Sequence, residues 1–281
     1  MRTIAVLTDL SKNAEHATQF ALHIAKKMKA KILLFQVSKE PVGRQLVLAG
    51  MPESYPDHEP SLAEYGNRMV RLATARTFAD ADVPEVSADP ASTEIVDVMT
   101  TIMGMEEICL IVTAPGTAGD LAAYILSDEC NRIIDWARVP VLLVPESTPL
   151  RYPEKIVFAS QLHEEDINAV AELGSLMENF AAELMVAHLN TDPSDAGIRQ
   201  KEDQLNRDLY KKLNCGGVYF RSIPDLGRKK SWDWLNANKR TELLAVMQQP
   251  REQMSKFFKR GQNESVTYHL TLPVMVLPKR P

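Results

Sequence analysis

The amino-acid sequence predicts two tandem α/β domains, each with a parallel sheet covered by helices on both faces. Three observations lead to this prediction. The chain of 281 residues repeats itself once, close to its midpoint. Each repeat holds five apolar runs of strand length separated by helical patterns, an alternation that is typical of parallel sheets. The runs are almost continuously hydrophobic, as strands buried on both faces must be.

The repeat is visible in two blocks of sequence. Residues 4–37 align with residues 156–189 without a gap, at a constant offset of 152. Residues 138–145 (RVPVLLVP) align with residues 271–278 (TLPVMVLP) at an offset of 133, so the second repeat is shorter between the blocks. Self-similarity over such long stretches indicates an internal duplication.

In the first repeat, strands and helices alternate along the chain. The first helix carries apolar residues on one face at helical spacing, namely Ala17, Phe20, Ala21, Ile24 and Met28. The predicted strands are Thr3–Thr8, Lys31–Val37, Glu85–Ala88, Ile108–Thr113 and Val139–Val144. The predicted helices are Asn13–Met28, Leu62–Ala79, Ser92–Met103 and Asp128–Ala137.

The second repeat follows a linker with two prolines, Glu146–Glu154. Its predicted strands are Lys155–Ser160, Glu183–Leu189, Val218–Ile223, Leu243–Met247 and Val274–Leu277. Pro140 and Pro273 lie at the start of the last strand of each repeat, where a missing backbone N–H is tolerated. We therefore place the domains at residues 1–148 and 153–281, called the first half and the second half below.

Composition narrows the function classes. The net charge of −5 and the pI near 5.8 argue against a nucleic-acid binder that works by bulk electrostatics. Three scattered cysteines fit a reducing compartment. No stretch approaches the 18 apolar residues of a membrane span, and the apolar start is too short for a signal peptide, so we expect a cytoplasmic protein. The six histidines do not cluster as metal ligands. His16 and His23 are expected on the surface of the first helix.

A ligand of an open α/β sheet binds at the carboxyl ends of the strands, beside the point where the strand order reverses. Two loops of the first half meet this condition. One is Thr8-Asp9-Leu10-Ser11 after the first strand, where Ser11 is expected to begin a helix. The other is Ala114–Leu121, after the fourth strand. These two loops are the candidate site.

The ordered pattern of the first half resembles a universal stress protein domain. Its start is an apolar strand, Thr-Asp-x-Ser and an Ala-rich helix ending in Ala-Lys-Lys-Met-Lys-Ala-Lys. Its end is a Leu-Ile-Val strand, a Gly-containing loop, a helix and Pro-Val-Leu-Leu-Val-Pro. The second half shows the same resemblance more faintly. The resemblance implies flavodoxin-like or adenine nucleotide α-hydrolase-like domains, each with a five-stranded parallel sheet of order 3-2-1-4-5, which pair through their last strands.

The resemblance also implies where ATP would bind. ATP-binding members of the family carry G-x2-G-x9-G-[ST] after the fourth strand, whose glycines let the backbone approach the phosphates and whose end opens a helix that holds an anion. The family's acidic residue after the first strand contacts the nucleoside, and Asp9, preceded by Thr8, matches that position. The glycine motif matches poorly, since its four positions fall on Ala114, Thr117, Ser127 and Asp128.

Two further features bear on the motif in the first half. Gly116 and Gly119 form a G-x2-G pair of their own. The Asp128 carboxylate is expected to cap the last helix and to repel a triphosphate.

The second half departs further from the family pattern. Gln161 stands where Asp9 stands in the first half, and the motif positions become Gln248, Arg251, Gly261 and Gln262. The basic residues Lys256, Lys259 and Arg260 are expected to form a solvated face rather than a phosphate site.

We therefore expect a non-enzymatic binding or regulatory protein of the stress response, with degraded nucleotide motifs and no catalytic or metal-ligating residues. The two halves are expected to pair within one chain as a pseudo-dimer, and two chains or an unidentified protein partner could associate further. One alternative is an ATP-binding switch that uses the first half only. Others are a slow ATPase and, on fold analogy alone, an adenylating or electron-transfer enzyme.

Overall fold

The computed structural model describes residues 1–37, 61–76, 83–90, 93–115, 121–190, 192–213, 217–224, 241–258 and 271–279. The segment Glu40–Pro60 lies outside the described residues.

In the first half, strands and helices follow the predicted alternation. The strands are β1 (Thr3–Thr8), β2 (Lys31–Gln36), β3 (Val86–Asp89), β4 (Ile108–Thr113) and β5 (Val141–Leu143). The helices are α1 (Lys12–Met28), α2 (Leu62–Arg76), α3 (Ile95–Met103), α4 (Leu121–Ile125) and α5 (Asp128–Trp136). The predicted helix ends at Ala79 and Ser92 lie outside the described residues.

The second half repeats the pattern. Its strands are β6 (Lys155–Ser160), β7 (Glu183–Asn190), β8 (Val218–Pro224), β9 (Leu243–Met247) and β10 (Val274–Leu277). Its described helices are α6 (Asp166–Leu176), a 3-10 turn (Glu178–Phe180), α7 (Ala196–Lys212) and α8 (Arg251–Phe258).

The ten strands form one sheet in the order β3-β2-β1-β4-β5-β10-β9-β6-β7-β8. Neighbours within each half are parallel, and the predicted order 3-2-1-4-5 is confirmed in both halves. Strands β5 and β10 pair antiparallel, with Leu142 opposite Met275. Because β5 and β10 are antiparallel, the carboxyl ends of the strands of the two halves lie at opposite edges of the sheet.

The hydrophobic core continues across this junction on both faces of the sheet. One cluster joins Phe20 and Leu142 of the first half to Met275 and Leu173 of the second. The cluster on the other face contains Val141 and Leu143 of β5 together with residues of β10 and α8. The apolar face predicted for α1 is confirmed, since all five of its residues are buried.

The linker also contacts both halves. The Tyr152 ring packs edge-on against Phe180, with 6.2 Å between centroids, and the Lys27 ammonium lies 4.4 Å from the Tyr152 centroid. His16 donates from Nε2 to the Thr148 carbonyl, at 2.8 Å. The expected surface position of His16 and His23 is wrong, because His23 is 8% exposed and His16 packs under the linker.

Among the described residues, no helix is long and apolar enough to cross a membrane.

Candidate functional site

The loop after β1 is held in place by its own side chains. The Thr8 hydroxyl accepts a hydrogen bond from the Leu10 N–H at 3.0 Å, and the Asp9 carboxylate accepts one from the Ser11 N–H at 3.1 Å. Leu10 adopts a left-handed backbone with φ of 61°. Ser11 is the N-cap of α1, as predicted, and accepts from the Ala14 N–H at 3.3 Å.

Thr8 faces the core and not the solvent. It is 1% exposed and exchanges a hydrogen bond with the Tyr65 hydroxyl, which also bonds the Thr18 hydroxyl at 2.9 Å. Burial raises the pKa of Tyr65, so its hydroxyl stays protonated at neutral pH. Thr8 therefore positions the loop and is not available to a ligand. The neighbouring Asp9 has a half-buried carboxylate.

The structure brings the two predicted loops together. Asn13, in the first turn of α1, donates to the Pro115 carbonyl at 3.0 Å. Thr8, Asp9 and Ala114 border one cavity of about 20 Å³. Small-molecule sites usually measure about 300–1,000 Å³, so the cavity between the described residues is too small by itself to hold a nucleotide. Gly116, Thr117 and Gly119 lie outside the described residues.

Tyr124 on α4 is a neighbour of this site that the sequence did not reveal. Its hydroxyl hydrogen-bonds Thr113 at the end of β4, and its half-buried phenol ring lies near Cys130 and Glu129. Burial, followed by the charges of these neighbours, raises the pKa of Tyr124 well above its ordinary value of 10.0. The Tyr124 hydroxyl is therefore a neutral hydrogen-bonding group next to Thr113, a residue that borders the cavity.

The last two motif positions of the first half act as parts of a helix terminus. Ser127 is the N-cap of α5 and accepts from the Cys130 N–H at 3.1 Å. The expectation that Asp128 caps this helix is wrong, because the Ser127 hydroxyl already fills that position. The Asp128 carboxylate instead accepts from Arg251 Nη1 at 2.6 Å, and Arg251 Nη2 donates to the Leu126 carbonyl at 3.1 Å.

The loop after β6 has the same backbone geometry as the loop after β1, but it surrounds the carboxyl group of a residue of the chain, Asp166. Leu162 is left-handed with φ of 59°, and its N–H donates to the Ser160 hydroxyl at 3.0 Å, as Leu10 does to Thr8. Asp166 then accepts from the Ser160 hydroxyl at 2.6 Å and from the N–H groups of Gln161 and His163 at 3.1 and 3.3 Å. Asp166 is 1% exposed, and its equivalent at the repeat offset is Ala14.

This internal carboxylate fills the second-half counterpart of the site. Burial raises the pKa of Asp166, while its hydrogen bonds oppose that rise. The space left beside Gln161, Asp166 and Gln249 is about 10 Å³. A side chain of the protein thus takes the acceptor role that an external ligand would otherwise have at this loop.

The second-half motif positions that the structure describes are turned toward the first half. Gln248 donates from Nε2 to Asp135 on α5 at 3.2 Å, and its N–H donates to the Leu277 carbonyl at 2.8 Å. Arg251 reaches Asp128, as described above. Lys259, Arg260, Gly261 and Gln262 lie outside the described residues.

A buried polar cluster under α7 was also missed by the sequence analysis. Glu202 Oε1 accepts from His188 Nδ1 at 2.7 Å, from the Ser222 hydroxyl at 2.7 Å and from Asn190 Nδ2 at 3.3 Å. Glu202 is 7% exposed. The sequence pattern could have revealed this cluster, because Glu202 lies on the same face of α7 as the buried Leu205 and Leu209. A charged residue at such a position needs polar partners.

Comparisons with known proteins agree with this architecture. A model of the universal stress protein family matches residues 1–145. The chain is similar to the crystal structure of a universal stress protein from Archaeoglobus fulgidus DSM 4304, with 12% identity, a TM-score of 0.59 and coverage of 99% of this chain and 98% of that one.

A second similar structure is a protein of unknown function from Pseudomonas aeruginosa PAO1, with 13% identity, a TM-score of 0.54 and coverage of 99% and 92%. At these identities the likeness shows the fold alone. A search of curated proteins found no match.

Proposed function

Since the chain belongs to the universal stress protein family, we propose that it is a non-enzymatic binding protein of the stress response whose two halves act as an intramolecular pseudo-dimer. The pairing of β5 with β10 and the two core clusters that cross the junction support the pseudo-dimer. An edge strand that is paired within the chain is withdrawn from association with other chains.

The non-enzymatic part of the proposal rests on one observation: the polar groups at the candidate sites are engaged by the protein itself. Asp166 supplies the acceptor at the second loop. Asp128 is bound by Arg251. A catalytic site for phosphoryl transfer needs groups aimed at the substrate and the attacking water. Here the described groups are aimed at one another.

An ATP-binding switch in the first half is a second candidate, favoured by the position of Asp9. Its carboxylate lies at the carboxyl end of β1, beside Ala114 at the end of β4, where open α/β sheets bind ligands. Arg251 neutralises the Asp128 carboxylate, which reduces the repulsion that this residue would exert on a phosphate.

A calorimetric titration of ATP and ADP with Mg²⁺ into the full chain tests the proposal. It is run beside the variant Asp9→Ala and the matched control Asp203→Ala, an exposed carboxylate on α7. Up to about 1 mM, a limit that corresponds to about −4 kcal/mol, we expect no ATP or ADP binding that is lost in Asp9→Ala, and we expect no phosphate release above background.

Two other results would change the account. Micromolar binding that is lost in Asp9→Ala and kept in Asp203→Ala would replace the proposal by the ATP switch. Steady phosphate release from the wild-type chain would show an ATPase and would overturn the non-enzymatic function.

A further inference from the structure

A groove of about 930 Å³ lies where the two halves meet. One wall is formed by the carboxyl-terminal ends of α3 and α5 in the first half. The other wall is formed by the loop between β9 and α8 and by Lys279, two residues after β10. Its chemically distinctive lining residues are Thr100, Met103, Trp136, Arg138, Gln249 and Lys279. The volume falls in the range of small-molecule sites, about 300–1,000 Å³.

Trp136, the last residue of α5, supplies an aromatic surface in this groove. It is 46% exposed, although a large aromatic side chain at the end of a helix would ordinarily be covered by its neighbours. The adjacent backbone is fixed to α3, because the Arg138 N–H donates to Met103 Sδ at 3.3 Å. An indole face that is exposed in a concave surface and held on a fixed backbone can stack on a flat ring.

The groove also presents cations from both halves. Arg138 is exposed, and among the described residues its guanidinium has no ion-pair partner. Lys279 lines the groove from the other wall, and its Nζ forms an ion pair with Glu165 Oε2 at 3.2 Å. The carboxylate in the lining, Asp135, accepts from the Gln248 amide. A guanidinium in this setting binds a carboxylate or a phosphate through two parallel hydrogen bonds.

From these groups we infer that the groove binds a small molecule made of a flat aromatic ring with one acidic group. The ring stacks on Trp136 and the acidic group meets Arg138, with Lys279 adding positive charge from the opposite wall. A nucleoside monophosphate and an aromatic carboxylic acid share this chemistry.

The inference does not depend on the proposed function. None of Thr8, Asp9 and Ala114 lines the groove, and they lie at the carboxyl edge of the first half. The groove lies at the opposite edge of the sheet, beside the second-half loop at Gln248. Ligand binding in the groove should therefore persist when the first-half loop is altered.

The test is a calorimetric titration of the full chain with two probes, adenosine monophosphate and indole-3-acetate. The groove variants are Trp136→Leu and Arg138→Gln. The controls are Arg132→Gln, an exposed arginine on α5 outside the groove, and Asp9→Ala. Circular dichroism of each variant shows whether the fold is kept.

We expect saturable binding of at least one probe, weakened about tenfold or more in each groove variant, since each change removes a stacking face or a charge-assisted hydrogen bond. Binding in both controls should match the wild-type chain. The probe that binds tells which acidic group the groove takes.

Three results would overturn the inference. One is no saturable binding of either probe up to about 5 mM. Another is binding that survives unchanged in both groove variants. The third is monophosphate binding that is lost in Asp9→Ala but kept in the groove variants, which would place the ligand in the first half and would favour the ATP switch.

Discussion

At the scale of single residues, the two halves keep the same loop geometry but fill it differently. Leu10 and Leu162 share a left-handed backbone, a conformation that costs a non-glycine residue about 1 kcal/mol. Thr8 and Ser160 hold these loops through the same hydrogen bond. What changed between the halves is the group inside the loop, which is Asp166 in the second half.

Asp166 could not be interpreted from the sequence alone. The repeat offset places it opposite Ala14, in the first turn of a helix, where an aspartate is expected to face solvent. Its role depends on the left-handed residue, which turns the N–H groups of Gln161 and His163 toward one point. The position of Asp9 directly after the first strand, in contrast, was predicted and is confirmed, because the strand is a clear apolar run.

Asp166→Ala is predicted to lower the free energy of unfolding by about 2 kcal/mol, because two N–H groups and one hydroxyl lose their acceptor. Urea denaturation of the two proteins measures the difference. Glu164→Ala, an exposed carboxylate in the same loop, is the control and should change the stability little. Equal effects of the two substitutions would contradict the role of Asp166.

His16 gives a prediction for pH dependence. Burial lowers the pKa of His16 below its ordinary value of 6.5, and the bond to Thr148 and the charge of Glu146 offset only part of this. As pH falls below 6.5, the unfolded chain therefore takes up a proton before the folded chain does, and folding stability decreases.

The variant His16→Gln should show a smaller decrease in the free energy of unfolding between pH 7 and the lowered pKa of this histidine. Urea denaturation at a series of pH values measures it, with the exposed His163→Gln as the control. An unchanged pH slope in His16→Gln would rule out this contribution.

At the scale of elements, the strands were predicted more accurately than the helices. All ten strands lie within two residues of their predicted ends, because a buried parallel strand is a continuous apolar run with clear limits. Helix α4 was missed, since five residues are too few to show a helical period. Its absence from the prediction also concealed Tyr124 as part of the candidate site.

The buried cluster under α7 is predicted to be a main support of that helix. In Glu202→Leu the donors of His188, Asn190 and Ser222 lose their acceptor in the core, so the free energy of unfolding should fall by about 2–3 kcal/mol. Asp203→Leu changes the next residue of α7, which is exposed, and serves as the control. Equal stability of the two variants in urea would show that the cluster contributes little.

At the scale of the whole molecule, the junction between the halves combines an antiparallel strand pair, a shared core and a pair of charged residues. The family resemblance predicted the pairing of the last strands. It did not predict that Arg251 contacts Asp128, because the two residues are far apart in the sequence and come together only once β5 and β10 have paired. In this arrangement a motif position of one half stabilises the other half.

The ion pair itself should contribute modestly, because both side chains are largely exposed. A double-mutant cycle with Asp128→Asn and Arg251→Gln, measured by urea denaturation, is expected to give a coupling free energy of about 0.3–1 kcal/mol. Raising the salt concentration should reduce it. A coupling of zero at low salt would show that the contact adds nothing to the stability of the junction.

The core that crosses the junction indicates that the two halves unfold as one cooperative unit. Pulsed hydrogen–deuterium exchange along a urea transition tests it most directly, because peptides from β1, β5, β6 and β10 report both halves and the junction in the same sample. The shared core predicts that these peptides lose protection together, at one urea concentration. Loss of protection in one half while the strands of the other remain protected would contradict it.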